Sequence, residues 1–275
     1  MKPPDSYVSI RNRQHPFVQR CRQLAKGYDP ETGEILLDGV HLVGEALESG
    51  LQGLTVAVRA DARNQPDIAI LLEHVSAAGG TVLDATADSV SAASPVRTPS
   101  GVVGIATFAL SPLDRVFAHV PALVVAVIDV QDPGNVGAII RAAEAAGASG
   151  VVVAGQSANP LGWKAIRGSM GSVFRMPVAS GPGVEALVAT ARARGLAVIA
   201  TTPSGDQSLF EVDLSLPTLL LVGGEGGGLP PALLATADAR MRIPMDPPVE
   251  SLNVAVATGV ILFEARRQRL AGERA

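Results

Sequence analysis

The fold class is decided by "DVQDPGNVGAIIRAAEAAGASGVVV" (residues 129–153), whose pattern predicts a strand, a turn, a helix and a second strand. Asn135 follows a Pro-Gly pair and is suited to cap the start of the helix. The apolar face of the helix carries Val136, Ile139, Ile140 and Ala143. Arg141 lies away from that face, beside alanines. It is either a solvated arginine or one on a surface that another molecule approaches closely, and periodicity alone favours the first.

Strands and helices alternate through most of the chain, which predicts an α/β fold. Upstream, the alternating segments are EILLDGV, HLVGEALESG, LTVAVRA, PDIAILLEHVSAAGG, TVLDAT, ADSVSAAS and VVGIATF. Downstream, the predicted strands are MPVA, LAVIATT, TLLLVGG and MRIPM, and a last helix covers residues 252–270. The segment ALSPLDRVFAHVPA contains two prolines and is interpreted as a linker. We predict a small α/β domain at residues 1–108, a linker at 109–121, and a second α/β domain at 122–275 with a mostly parallel sheet.

The composition fits this fold class. Hydrophobic residues make up 47% of the chain and aromatic residues only 3%, so the core is aliphatic, as in parallel sheets covered by helices. The single Cys21 rules out an internal disulfide and fits a reducing cytoplasm. The apolar runs are shorter than the roughly 20 residues of a membrane helix, and the N-terminus lacks a signal-peptide pattern. We expect a soluble cytoplasmic protein with no membrane partner.

The charge pattern is ambiguous. The net charge of −4 argues weakly against a nucleic-acid partner, but residues 1–28 carry six basic residues and one acidic residue, among them Arg11, Arg13, Arg20 and Arg22. Between Glu144 and Glu185 there is no acidic residue, whereas Lys164, Arg167 and Arg175 are present. Local basic patches matter more for phosphate binding than the total charge. Charge alone still favours an ordinary solvated surface.

Several kinds of site are poorly supported. The four histidines show no metal-ligand spacing, so no metal is expected. No lysine follows a glycine, which excludes a P-loop. The run GGEGGG has Leu229 where a dinucleotide-binding fingerprint needs its last glycine. A serine hydrolase is disfavoured too, because GQSAN has Asn159 in place of the second glycine of a nucleophile elbow.

Two further loops carry unusual residues. Five glycines surround Glu225 directly after an apolar strand, and they would let the backbone approach a ligand closely. The alternative is a flexible turn, which we consider weaker. Ser251 is suited to cap the last helix. Asn253 would then lie in the first turn among apolar residues, where its amide needs a hydrogen-bond partner.

The three loops together resemble the three motifs of the SpoU (TrmH-like) RNA ribose 2′-O-methyltransferases of the SPOUT superfamily. The matching segments are DPGNVGAIIRAAEAAG, GGEGGGLP and IPMDPPVESLNVAVATG. The segment KAIRGSMGSVFRMPV is similar to the family's stretch between the first two motifs, and the resemblance covers residues 122–270. The first domain is similar, more loosely, to the family's L30e-like substrate-binding domain through ILLDGVHLVGEAL and TPSGVVGIA, with Asp38 where the family usually has Glu.

The resemblance implies a C-terminal α/β-knot domain with a deep trefoil knot, a homodimer, and S-adenosylmethionine as the cofactor. It implies cofactor contacts at Thr201, Gly223, Gly224, Ile243 and Leu252. The active-site positions that it implies are Asn135, Arg141, Glu225, Ser251 and Asn253. RNA contacts are expected at Arg11, Arg13, Arg20, Arg22, Lys164 and Arg167.

The implied reaction transfers a methyl group to a ribose 2′-hydroxyl, a weak acid whose developing negative charge must be stabilised. The family's usual proposal makes the arginine of the first motif the general base. A guanidinium is effectively always protonated, so we prefer an electrostatic role for Arg141, which would hold the target phosphate and stabilise the alkoxide. Asn135, Glu225 and Asn253 would orient Arg141 and the hydroxyl.

The leading hypothesis is therefore an RNA 2′-O-ribose methyltransferase. By analogy of the two-domain layout, 23S rRNA is favoured over tRNA as its substrate. A tRNA 2′-O-methyltransferase and a non-catalytic RNA-binding protein on the same fold are the alternatives. The intact Asn135, Arg141, Glu225 and Asn253 argue against the non-catalytic protein. A Rossmann-type oxidoreductase lacks its fingerprint.

Overall fold

The structure is a computed structural model that describes residues 9–181 and 183–272. Lys2, one of the six basic residues among residues 1–28, lies outside the described residues. The strands are β1 Ser9–Ile10, β2 Glu34–Asp38, β3 Gln52–Arg59, β4 Thr81–Ala85, β5 Val102–Thr107, β6 Leu123–Ile128, β7 Gly150–Ala154, β8 Val178–Ser180, β9 Ala197–Thr201, β10 Gln207–Ser208, β11 Thr218–Gly223 and β12 Ala239–Arg242. The helices are α1 Pro16–Leu24, α2 Val40–Glu48, α3 Pro66–Ala77, α4 Ala87–Ala93, α5 Leu113–Val116, α6 Pro133–Ala146, α7 Trp163–Ser169, α8 Ser172–Arg175, α9 Val184–Ala193, α10 Pro231–Leu234 and α11 Val254–Gly272.

The described chain forms two compact units. The first runs to Ala109 and also takes in Leu161–Phe174, while the second contains Leu110–Pro160 and the residues from Arg175 onward. The first unit contains a five-stranded sheet of order β1-β4-β3-β5-β2, in which β5 is antiparallel to both of its neighbours. Its helix α1 turns an apolar face that includes Phe17, Val18 and Cys21 toward the core.

The second unit is built on a seven-stranded sheet of order β10-β12-β9-β11-β6-β7-β8. Every strand pairing described in this sheet is parallel. The interior strand β6 has the sequence LVVAVI and is buried along its whole length, as expected for a parallel strand covered on both faces. The predicted α/β class and mostly parallel sheet are confirmed; the trefoil knot stays a prediction.

The segment between the two predicted domains differs from a free linker. Ser111 donates its main-chain N–H to the carbonyl of Val178, and Val116 and Phe117 are buried in the core of the second unit. Of the two prolines in this segment, Pro112 directly precedes the short helix α5 and Pro121 follows it. Both therefore lie in a connection that packs against the core. Residues 110–121 therefore belong to the second unit.

A second difference is the position of Leu161–Phe174, which we predicted within the second domain. Trp163 donates its indole N–H to the carbonyl oxygen of Ala25 at 3.0 Å and packs against the apolar core of the first unit. Ala165 and Ile166 are fully buried on the inner face of α7. This stretch is thus part of the first unit, although the sequence on either side of it forms strands of the second.

Candidate active site

A cavity of about 650 Å³ opens in the second unit beside the glycine-rich loop that follows β11. The five residues that we predicted as cofactor contacts all line it: Thr201, Gly223, Gly224, Ile243 and Leu252. Three of the predicted active-site residues line it as well: Glu225, Ser251 and Asn253. Residues from three well-separated parts of the sequence therefore meet at one cavity.

The parallel sheet explains this convergence. Thr201 ends β9, Gly223 ends β11, and Ile243 directly follows β12. These three strands are neighbours and run in the same direction, so their carboxyl ends lie at one edge of the sheet. Loops at the carboxyl ends of parallel strands are the usual place for a ligand in an open α/β sheet. The hydroxyl of Thr201 donates to the carbonyl of Leu221 at 3.0 Å, which ties β9 to β11 beside the cavity.

The glycines at the start of the loop are required by close backbone packing. A Cβ atom on Gly223 would lie 2.5 Å from the carbonyl carbon of Gly228 and 2.6 Å from the nitrogen of Leu229. A Cβ atom on Gly224 would overlap the main-chain carbonyl of Asp129. Contacts this short do not occur in proteins, so these two positions admit only glycine unless the backbone moves.

A chain of hydrogen bonds joins the three motif loops. Asn253 donates its side-chain N–H to Oδ1 of Asn135 at 3.1 Å, and Asn135 in turn donates to Oε1 of Glu225. These residues follow different strands and are far apart in the sequence. The side-chain amides are therefore oriented by one another, and the chain ends on a carboxylate beside the cavity.

Two of the predicted helix caps are wrong. The N-cap of α6 is Asp132, whose carboxylate accepts from the main-chain N–H of Asn135 at 2.9 Å. The last helix begins at Val254, and Asn253 caps it by accepting from the N–H groups of Ala255 and Val256. Asn135 and Ser251 are thus not needed as caps. The cap of α6 could have been read from the sequence, because an aspartate directly before proline is a strong helix-start signal.

Arg141 is not brought into the cavity. It lies on the outer side of α6, is exposed, and makes no hydrogen bond or ion pair within the described part of the chain. This placement leaves the guanidinium available to a ligand or to a second molecule.

The predicted RNA-contact residues all lie in the first unit, and they differ in their surroundings. Arg20 is held by Oδ2 of Asp29 at 2.7 Å and by Oε2 of Glu34 at 2.5 Å. The hydrogen bond to Asp29 raises the pKa of the Arg20 guanidinium and lowers the pKa of that carboxyl. The other five are exposed: Arg11, Arg13, Arg22, Lys164 and Arg167. Arg20 is therefore engaged within the fold, whereas the others present their charge to solvent.

Sequence reasoning missed the residues that hold the first motif loop in place. Ser157 accepts from the N–H of Val130 at 3.0 Å and lies 2.8 Å from the carbonyl of Ala154, to which it donates. Asp129 has a left-handed backbone with φ of 57°. The run GQSAN drew attention only as a failed nucleophile motif, and a strand-end serine carries no other distinctive signal.

The described residues contain no cluster of three or more histidine, cysteine, aspartate or glutamate side chains that could hold a metal ion. Over the same residues, none of the helices has both the length and the apolar character needed to cross a membrane.

The second unit thus combines a parallel α/β sheet with a glycine-rich loop and a hydrogen-bonded Asn–Asn–Glu chain at one edge of that sheet. The sequence model of the SpoU rRNA Methylase family matches residues 122–263, and the chain belongs to this family. An uncharacterized tRNA/rRNA methyltransferase of Synechocystis is 35% identical over 96% of this chain and 95% of its own length. The 23S rRNA (uridine(2479)-2′-O)-methyltransferase of Streptomyces viridochromogenes is 38% identical over 65% of this chain and 64% of its own length.

Solved structures give the same result over nearly the whole chain. The AdoMet-bound rRNA methyltransferase from Sinorhizobium meliloti is similar with a TM-score of 0.81 and 36% identity, covering 95% of this chain and 97% of that one. The SpoU methyltransferase AviRb of Streptomyces viridochromogenes in complex with AdoMet has a TM-score of 0.82 and 31% identity, covering 94% of this chain and 100% of that one.

Proposed function

We propose that this protein transfers a methyl group from S-adenosylmethionine to a ribose 2′-hydroxyl of structured RNA. The observation that carries the proposal is the hydrogen-bonded chain from Asn253 through Asn135 to Glu225 at the rim of the cavity. A fold alone supports many functions, but polar side chains oriented at a ligand cavity indicate a reaction site. Two similar structures bound to AdoMet, one named as an rRNA methyltransferase and one as a SpoU methyltransferase, support the same conclusion.

The cavity fits the cofactor. Its walls include the apolar side chains of Ile243, Met245 and Leu252, which suit an adenine ring and a methionine chain. The glycines of the loop expose main-chain N–H and C=O groups, which supply the few polar contacts that fix a ligand's orientation. S-adenosylmethionine supplies an electrophilic methyl group on a sulfonium.

The protein's own groups would act on the hydroxyl. Glu225 uses Oε1 for Asn135, and its carboxylate retains lone pairs that can accept from the ribose 2′-hydroxyl and orient it. Arg141 would hold the target phosphate and stabilise the negative charge that develops on the oxygen. Its exposure on α6 supports this role, because nothing in the described chain competes for the guanidinium.

For the RNA, ribosomal RNA is the favoured substrate. A relative named as a 23S rRNA methyltransferase supports this choice. Binding to RNA as such is supported by the exposed cations of the first unit: Arg11, Arg13, Arg22, Lys164 and Arg167. Trp163 donates to the carbonyl of Ala25, the C-cap of α1, and Lys164 Nζ lies 5.7 Å from the centroid of the Trp163 ring, so the start of α7 meets the end of α1. Arg175, Arg192 and Arg194 of the second unit are each paired with a carboxylate and are therefore weaker candidates for RNA contacts.

We further propose a homodimer in the cytoplasm. Helix α11 buries one face that includes Ile261 and Leu262, yet Val256, Val260 and Phe263 are 54%, 41% and 53% exposed. An exposed apolar stripe on a helix is a signature of a protein interface, and a second copy would cover it symmetrically. The cytoplasmic location rests on the single Cys21 of the sequence.

The decisive experiment compares 2′-O-methylated nucleotides in total RNA from a wild-type and a deletion strain. We expect one methylated site to disappear, and purified protein with S-adenosylmethionine to restore it on RNA from the deletion strain. Calorimetry on the purified protein should show cofactor binding. RNA binding without cofactor binding, and with no site lost, would establish the non-catalytic alternative. A lost site in tRNA would assign the alternative substrate.

A further inference from the structure

The turn that follows β6 meets the glycine-rich loop at one point, the main chain of Asp129. A Cβ atom on Gly224 would overlap the Asp129 carbonyl and would lie 3.4 Å from the nitrogen of Val130. The exit of β11 therefore rests directly on the peptide that follows Asp129. A displacement of this peptide toward Gly224 would push the start of the glycine-rich loop, because the two main chains are too close to admit even a Cβ atom.

The contact point lies beside the proposed reaction site on both chains. Glu225 directly follows Gly224, and Asn135 lies in the first turn of the helix that Asp129 precedes. The hydrogen bond from Asn135 to Glu225 spans these two loops. Both partners of this bond therefore lie within a few residues of the contact between Gly224 and Asp129.

Asp129 has an unusual backbone conformation at this point. Its φ of 57° is left-handed, and among the described residues only Met170 shares a positive φ without being glycine. Aspartate and asparagine adopt this region more readily than other residues with a side chain, because their short polar groups can bond locally. Here Oδ1 of Asp129 accepts from the main-chain N–H of Gln156 at 2.7 Å.

The loop after β7 completes the support. Ser157 accepts from the N–H of Val130, and the N–H of Ala158 donates to the carbonyl of Val130 at 2.9 Å. Asp129 and Val130 are thereby fixed from the side opposite Gly224. The carboxylate of Asp129 is engaged by the main-chain N–H of Gln156, and Asp129 does not line the cavity.

We propose that Asp129 is a positioning residue of the reaction site. Its left-handed backbone, held by the bond to Gln156, presents its carbonyl to Gly224 and so sets the hydrogen bond between Asn135 and Glu225. This inference rests on the proposed function. It adds a residue that touches neither the cavity nor the hydrogen-bonded chain.

Three substitutions in the full chain separate the backbone contribution from the carboxylate contribution. Asp129→Asn keeps both the acceptor oxygen and the tolerance of positive φ, so kcat should stay within about threefold of wild type. Asp129→Gly keeps only the backbone freedom, and Asp129→Ala keeps neither. We expect kcat to decrease from Asp129→Asn through Asp129→Gly to Asp129→Ala. The alanine variant should lose on the order of 10²-fold, since misplacement of a reacting group by about 1 Å has that effect.

A second readout does not depend on activity. The side-chain amide resonance of Asn135 should shift in the Asp129→Ala variant and remain in place in Asp129→Asn. In an Asn135→Ala background, Asp129→Ala should reduce kcat little further, because the bond that it positions is already absent. A purely structural residue would instead lower the melting temperature and leave kcat per folded molecule unchanged.

The inference is overturned if Asp129→Ala leaves the Asn135 resonance unshifted, or if its effect on kcat adds fully to that of Asn135→Ala. The proposed function fails separately, when wild-type protein binds no S-adenosylmethionine and methylates no RNA. The amide measurement still decides the role of Asp129 in that case.

Discussion

Asn135 occupies the centre of the site, because it both receives a hydrogen bond from Asn253 and donates one to Glu225. An amide side chain can do this since it carries a donor and an acceptor, whereas an aspartate or a leucine of similar size cannot. The chain therefore fixes which way each amide points. In the proposed reaction, a carboxylate oriented in this manner would be in place for the substrate hydroxyl before the substrate binds.

Arg141→Ala should remove most methyl transfer and leave cofactor affinity unchanged. The residue does not line the cavity, and losing one group that stabilises developing charge lowers kcat by ~10²–10³-fold. Activity on RNA and cofactor affinity by calorimetry should be measured on the same preparation. Arg141→Lys is the matched control and should retain part of the activity. An alanine variant within a few-fold of wild type would leave Arg141 as a solvated surface residue.

Lys164→Gln should weaken RNA binding without changing cofactor binding. If Lys164 neutralises one phosphate, the slope of log affinity against log salt concentration should become shallower by roughly 0.7–0.9. Arg115→Gln removes an equally exposed cation from the second unit and is the control. Equal salt slopes for the two variants would mean that α7 does not contact RNA.

At the scale of single residues, the sequence predicts which polar side chains need a hydrogen-bond partner better than it predicts which residue provides it. Asn253 was expected to require a hydrogen-bond partner, and the structure provides Asn135, a residue 118 positions away. Local patterns carry no information on pairing at that distance. The positioning role proposed for Asp129 could not be predicted either, because no pattern in the neighbouring residues indicates that an aspartate has a left-handed backbone.

Among the elements, the glycine-rich loop after β11 is shaped by contacts within the protein itself. Gly223 packs on Gly228 and Gly224 packs on Asp129, whereas a Cβ atom on Gly227 would meet no atom within 4 Å. The loop thus has a constrained entrance and an open tip. Its glycines have two different functions, which the composition of the loop alone could not separate.

Gly223→Val should abolish S-adenosylmethionine binding while the protein stays folded. From the sequence we expected the added side chain to obstruct the ligand, but the structure shows that it would first displace residues 228 and 229. Gly227→Val is the matched control in the same loop and should bind the cofactor more tightly than Gly223→Val. Calorimetry and thermal melts measure both effects. Equal cofactor affinity in the two variants would contradict a constrained loop entrance.

The elements themselves were largely predictable, because apolar runs and helical periodicity are local properties. Their order in the sheet was not. In the sheet, β11 lies between β6 and β9. In the chain, β7 and β8 separate β6 from β9, and β10 separates β9 from β11. Two-residue strands such as β1 and β10 were missed since they are too short to show a period.

In the whole molecule, the first unit draws on two separate stretches of sequence. Removing residues 1–109 leaves α7 without the core it packs against, and Leu161, Ile166 and Phe174 would lose their cover. We therefore expect a fragment of residues 110–275 to aggregate, although it contains every residue that lines the cavity. Size-exclusion chromatography measures this directly.

The fragment with Ile166→Ser and Phe174→Ser is the control, and it should be more soluble because the uncovered patch is smaller. A fragment of residues 110–275 that elutes as one sharp species, with no gain from the serine substitutions, would show that the second unit does not depend on the first. The sequence had suggested that independence, because nothing in KAIRGSMGSVF distinguishes a segment that packs on its own domain from one that packs on another.

The bond between Trp163 and Ala25 also limits how this protein can be recombined with its relatives. A gene chimera joined once, near residue 109, would combine residues 1–109 of one parent with the α7 of the other. Mismatched side chains would then face each other in the core of the first unit. A workable graft needs three junctions, near residues 109, 160 and 174, so that both stretches are inherited from the same parent.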